Sequence, residues 1–151
     1  MALAETKPVM TDPTTHAAHR PLQALFAPAL VVLGSCGFAA AWILLAFARD
    51  RQSSWMAVFA AIDAVLLLRL VRMPAGPLRM LAAVAATSLS IVLANWGIAA
   101  TQIGKLMGLL PWESAFKLGP HYAWTLAGLA NQPADLAWLA AALLLAAIAS
   151  R

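Results

Sequence analysis

Asp63 is the residue whose type and setting most invite chemistry, because it lies inside the apolar run Ala61-Ile62-Asp63-Ala64-Val65-Leu66. A carboxylate at the centre of a bilayer costs about 2.5–3.5 kcal/mol on insertion scales, so it is expected to be neutral or paired. Two readings follow. One is a hydrogen-bonded acid that fixes helix register; the other is a protonatable ligand for a cation or a coupling proton. Arg69 is six positions on and well round the helix, so any partner must come from another segment. Equal depth in the bilayer places Asp63 near Ser88 and Ser90, with Asn95 a turn further out. Ser90 and Asn95 are the expected donors.

Those residues belong to one half of a helix. At 100° per residue, Thr87, Ser88, Ser90, Asn95, Thr101 and Gln102 share half the circumference with Ala83, Ala94 and Gly97. Leu89, Val92, Leu93 and Trp96 occupy the other half. Lipid offers no hydrogen-bond partners, so the polar half must face protein. Asp63, Thr87, Ser88, Ser90 and Asn95 therefore form the candidate intramembrane polar site. Trp112, His121, Tyr122 and Trp124 are the candidates on an outer rim. They lie near Glu113, Ser114 and Lys117, so an acid, a base and a hydroxyl could meet there. The plainer reading is aromatic anchoring at the headgroups.

Much chemistry is excluded by counting. A single cysteine, Cys36, forbids an intrachain disulfide, a CxxC pair or a thiolate zinc site. Of three histidines, His16 and His19 lie in the polar N-terminal stretch, where they could bind metal only weakly, and no apolar span contains one. There is no phosphate-binding glycine loop, HExxH, GxSxG or acidic cluster. No catalytic residue, metal or cofactor is assigned. The net charge of +4 comes from basic residues set singly beside apolar runs, a pattern of membrane anchoring rather than of a nucleic-acid patch.

The elements that must position these residues follow from composition. The chain has 151 residues, 63% apolar and 11% charged, with a mean hydropathy of +0.81. Soluble domains are about 45–50% apolar and about 25% charged, so this is an all-α integral membrane protein. Residues 1–20 read as a flexible polar tail, within which Met10-Thr11-Asp12-Pro13 is an alternative start, and 21–151 as a single membrane domain. Four transmembrane helices are expected at about 25–47, 54–71, 80–103 and 133–149. Ala46-Phe47-Ala48 resembles a signal-peptide cleavage site, but the apolar run before it far exceeds the ~7–15 residues of such a signal. Ser53 or Ser54 is expected to cap the second helix, and Pro77, Pro111 and Pro133 to stand at helix starts. Between the third and fourth spans, two short interfacial helices are expected at about 111–118 and 120–130, with Glu113 and Lys117 paired at i,i+4.

Four spans put both termini on one side, with Lys7, Arg20, Arg69, Arg72, Arg79 and Arg151. Arg49, Arg51, Lys105 and Lys117 fall on the other, so both termini are expected in the cytoplasm of a bacterial-type inner membrane. All six tryptophans fall towards the opposite face, as an interfacial belt or the rim of an outward cavity. The function expected is that of a non-enzymatic accessory or binding subunit. Its partners would be membrane lipids and other transmembrane helices, in a homo-oligomer or a larger complex, and not nucleic acid. A small transporter or channel using Asp63 is the alternative. A lipid-modifying enzyme on the outer connection is the third.

Overall fold

The computed structural model describes residues 14–151, so most of the segment read as a tail lies outside the described residues. Within them are six helices and no strand: α1 Thr14–Arg49, α2 Met56–Leu70, α3 Pro77–Met107, α4 Pro111–Lys117, α5 Pro120–Ala130 and α6 Pro133–Ala149. The side chains of His16 and His19, at the start of α1, also lie outside the described residues.

Proline sets most of the starts. It is the first residue of α3, α4, α5 and α6, where its fixed φ suits a helix and its missing N–H is no loss. In α4 and α6 an acid two residues later reaches back to the chain. Glu113 accepts from the Leu110 N–H at 3.3 Å, and Asp135 from the Gln132 N–H at 2.9 Å. That use of Glu113 replaces the expected pairing with Lys117, since Lys105–Asp50 is the one ion pair among the described residues. The serine cap of α2 is not formed either. The Ser53 and Ser54 hydroxyls turn back toward the Arg51 and Gln52 carbonyls, while tight backbone turns hold the N–H groups of Met56 and Ala57 at 3.0 Å. The far end of α2 closes by two backbone bonds, Met73 N–H to Leu68 O (3.1 Å) and Arg72 N–H to Arg69 O (2.9 Å). Arg72 there has φ of 56°, the left-handed conformation that usually falls to glycine.

Contacts along the helices fix their directions. Ser90 bonds to Ser35, Gly97 abuts Ile43, and Lys105 pairs with Asp50, so α1 and α3 run parallel. Gly34 abuts Leu67 of the antiparallel α2. Arg69 Nη2 donates to Ala149 O at 3.3 Å and Arg79 Nε to Ser150 O at 2.7 Å, which places the end of α6 beside the end of α2 and the start of α3. The four long helices thus alternate in direction. α2 and α3 pack on each other and each packs on α1 and α6, which do not meet among the described residues. In cross-section the bundle is a lozenge with α2 and α3 on its short diagonal. Its interior is mostly alanine: Ala57, Ala60, Ala61 and Ala64 of α2 face Ala83 and Ala94 of α3 and Ala142 and Ala146 of α6. Small residues let helices approach closely where lipid removes the hydrophobic drive for association.

Two helices are long and apolar enough to cross a membrane, within Pro28–Arg49 and Pro77–Met107. A third crossing is added only if α5 and α6, which meet at a bend of 108°, count as one broken span. The second expected span is shorter than the sequence suggested: α2 has 15 residues and α6 has 17, about 22 and 26 Å at 1.5 Å per residue.

Beyond Asn95, α3 continues for three more turns, and α4 and α5 fold against this extension. Ser114 Oγ donates to Ala100 O at 2.7 Å, and Trp96 Nε1 to Ala115 O at 3.4 Å. Gly104 makes the approach possible, because a Cβ there would lie 3.0 Å from both Leu109 O and Ser114 Oγ. Gly104→Val is expected to lower stability in detergent by about 1–3 kcal/mol, through overpacking against a backbone atom. Gly37→Val, where a Cβ meets nothing within 4 Å, is the matched control in the same thermal unfolding assay.

Candidate functional site

α2 presents Ala57, Ala60, Ala61, Ala64 and Leu68 to the bundle. Asp63, at the middle of the helix, falls roughly 120° from the centre of that stripe. Leu67, one turn on along the same edge, lies against Gly34, so the edge borders the α1–α2 seam. Asp63 is partly exposed there and has no hydrogen bond or ion pair among the described residues.

The expected donors are engaged elsewhere. Ser90 is buried and its Oγ donates to Ser35 O at 3.2 Å, across to α1. Thr87, fully buried, donates to Ala83 O at 2.8 Å within its own helix. Thr101 does the same to Ile98 O at 2.8 Å. Ser88 is half-buried. Thr87, Ser90 and Thr101 of the polar half of α3 are buried, whereas Gln102 is exposed; of their hydroxyls only that of Ser90 crosses to another helix. The structure brings Thr87, Ser90 and Asn95 onto one packed face but leaves Asp63 off it.

Asn95 belongs to a different constellation. Its Oδ1 accepts from Gln52 Nε2 at 2.9 Å and from Asn131 Nδ2 at 3.3 Å, and Gln52 Nε2 also donates to Asn131 Oδ1 at 2.6 Å. The cluster is anchored by Asn95 Nδ2 on Ile91 O (2.9 Å) and Asn131 Nδ2 on Ala127 O (2.7 Å). Three amides thus join the α1–α2 turn, the middle of α3 and the α5–α6 junction. Gln52 and Asn131 were not singled out from sequence, because isolated amides in polar turns look like solvated loop residues. The shared level of two helix junctions was the missing information.

The outer rim does not assemble an acid, a base and a hydroxyl. Ser114 is buried against α3, Glu113 is held at its own helix start, and His121 stands exposed with Tyr122 beside it, ring centroids 6.2 Å apart. Tyr122 and Trp124 are among the most exposed side chains, and that of Trp112 lies outside the described residues. The tryptophans divide. Trp55, Trp124 and Trp138 are exposed, Trp96 is half-buried, and Trp42 is 1% exposed inside the bundle. Among the described residues no three His, Cys, Asp or Glu side chains gather in one place.

What fold and polar groups define together is a small all-helical bundle, apolar outside, with membrane-length helices and a carboxyl group off its packed face. No protein-family model matches the chain, and no curated protein or solved structure matches it either.

Proposed function

We propose that the chain is a four-span, non-enzymatic accessory subunit of a bacterial-type inner membrane, with both termini cytoplasmic, which binds other transmembrane helices and lipids. The observation that carries this reading is Asp63: an acid half-way along an apolar helix, unpartnered among the described residues, on an edge outside the packed face. Such a group is costly beside lipid, and a donor on a neighbouring helix relieves the cost.

The four-span reading is supported by two polar layers. Arg69 and Arg79 hold carbonyls at one end of the bundle, and the Gln52–Asn95–Asn131 cluster marks the other. Along α3 the sixteen residue steps from Arg79 to Asn95 span about 24 Å. With α6 upright between these layers, the 108° bend lays α5 nearly in the plane of the membrane surface, where exposed Tyr122, Trp124 and Leu129 suit an interfacial helix.

A water-filled path along α3 is disfavoured by tight packing at Thr87, Ser90 and Ala94, each 2% exposed or less. Cysteines placed at these three positions, in a Cys36→Ser background, are expected to resist water-soluble maleimides in membranes. Ready labelling would favour transport instead. The test of the accessory reading itself is native mass spectrometry from mild detergent. Stoichiometric co-purification of a second membrane chain, or of a second copy, is expected; a clean monomer would overturn it.

A further inference from the structure

At the arginine-rich end, a cavity of about 550 Å³ opens between α1, the α2–α3 turn and α3. Its size falls within the ~300–1,000 Å³ of small-molecule sites. Its walls are apolar, with Val31 and Val32 of α1 facing Ala86 and Leu89 of α3. Two polar groups interrupt them. Arg72 lies at the mouth, exposed, and its guanidinium has no hydrogen-bond or ion-pair partner among the described residues. Its neighbours differ: Arg69 and Arg79 are both committed to carbonyls of the α6 end. Ser35 lies at the deep end, 1% exposed, and its Oγ is a buried hydroxyl without a partner among the described residues. A buried, unpaired hydroxyl beside a cavity is a vacant donor.

The spacing of these groups has a chemical meaning. Ser35 lies next to Gly34, which abuts Leu67, and Arg72 is five residues beyond Leu67. At 1.5 Å per residue the two levels differ by about 7–8 Å along the bundle. The cavity therefore offers a cation at the membrane surface, a hydrogen-bond donor at its deep end, and apolar walls between. That order matches the phosphate and then the ester carbonyl of a glycerophospholipid with an anionic headgroup, whose acyl chains would leave the cavity along the apolar α1 and α3 surfaces. A packed helix from another protein would match the apolar walls but would leave the guanidinium and the hydroxyl unused.

We propose that this cavity is a binding site for an anionic glycerophospholipid, with Arg72 pairing to the phosphate and Ser35 Oγ donating to an ester carbonyl. The site rests on the reading of the chain as an integral membrane protein, and it names the lipid class that this protein would hold. Arg72 also supplies an unusually clean variant. Its φ of 56° favours glycine, so Arg72→Gly removes the guanidinium while easing the turn that carries it.

The full chain in mild detergent would be titrated with phosphatidylglycerol and phosphatidylcholine of identical acyl chains and followed by native mass spectrometry. Phosphatidylglycerol is expected to be retained with up to about tenfold preference, because phosphatidylcholine offers the same phosphate but sets its trimethylammonium charge against Arg72. Arg72→Gly should abolish the preference without lowering the melting temperature, and Ser35→Ala should weaken both lipids several-fold. Inorganic phosphate should not displace the bound lipid. Equal retention of the two lipids, a preference that survives Arg72→Gly, displacement by phosphate, or a second protein chain that excludes the lipid would each overturn the proposal. Carbonate extraction of the same membranes separates the two levels. An extraction-resistant chain without lipid preference loses only this site, whereas an extractable chain loses the membrane reading as well.

Discussion

Trp42→Ala is expected to destabilise the bundle more than any other single truncation, by about 2–4 kcal/mol. Trp42 is the largest fully buried side chain, and it fills the space that the alanines of α2 and α3 leave beside α1. In a soluble protein, deleting a buried tryptophan costs about 3–5 kcal/mol, part of it the loss of transfer from water. Within a bilayer the unfolded reference is itself apolar, so the cavity left behind carries most of the cost. One term runs the other way. The indole N–H is buried without an acceptor among the described residues, so Trp42→Phe removes an unsatisfied donor while keeping most of the ring. Thermal unfolding in detergent should therefore place Trp42→Phe much nearer the parent than Trp42→Ala. Equal losses for the two variants would mean that the indole N–H has an acceptor in the native membrane.

Asp63→Leu is expected to move two measurements in opposite directions. The isolated chain should become more stable in bilayers, by up to the ~2.5–3.5 kcal/mol that a carboxylate costs at mid-membrane, because no bond among the described residues is lost. Association with its partner should fall, read as loss of the co-purifying chain by native mass spectrometry. Asp63→Asn, which keeps a polar group but never a charge, separates the two possible contacts. If a hydrogen bond suffices, the asparagine variant retains the partner; if an ion pair is needed, it does not. An Asp63→Leu chain that loses stability and keeps its partner would show instead that the carboxyl group serves the fold.

The sequence made the helices legible because their boundaries are written locally. Pro77, Pro111, Pro120 and Pro133 stand at the starts, and Gly108 follows α3 with φ of 66°. The packed face of α3 was equally legible, since Thr87, Ser90 and Thr101 interrupt an apolar background at helical spacing. What could not be read was the direction of apolar groups. In a membrane helix the lipid face and the protein face are both apolar, so Trp42 looked like a belt residue until its burial was seen. The partners of Asn95 were hidden for another reason. Gln52 and Asn131 lie 43 and 36 residues away, and only the packing of the helices brings them to one level. Asp63 shows the same limit in reverse: equal depth proposed neighbours, but depth says nothing of azimuth.

In the proposed four-span arrangement, the unequal helices would make the bundle a wedge with respect to the bilayer. α1 and α3 run on past the amide cluster, whereas α2 and α6 span only about 22 and 26 Å, and these two pack side by side. A hydrocarbon core of about 30 Å meets a well-matched wall on one flank and a short one on the other. Lipid on the short flank must thin or tilt, at fractions of a kcal/mol for each ångström of mismatch. Asp63 is carried by the shortest of the four long helices, so the headgroups and their water are drawn closest to the residue that most needs them. In that arrangement membrane shape, and not the chain alone, would set how deep that carboxyl group lies.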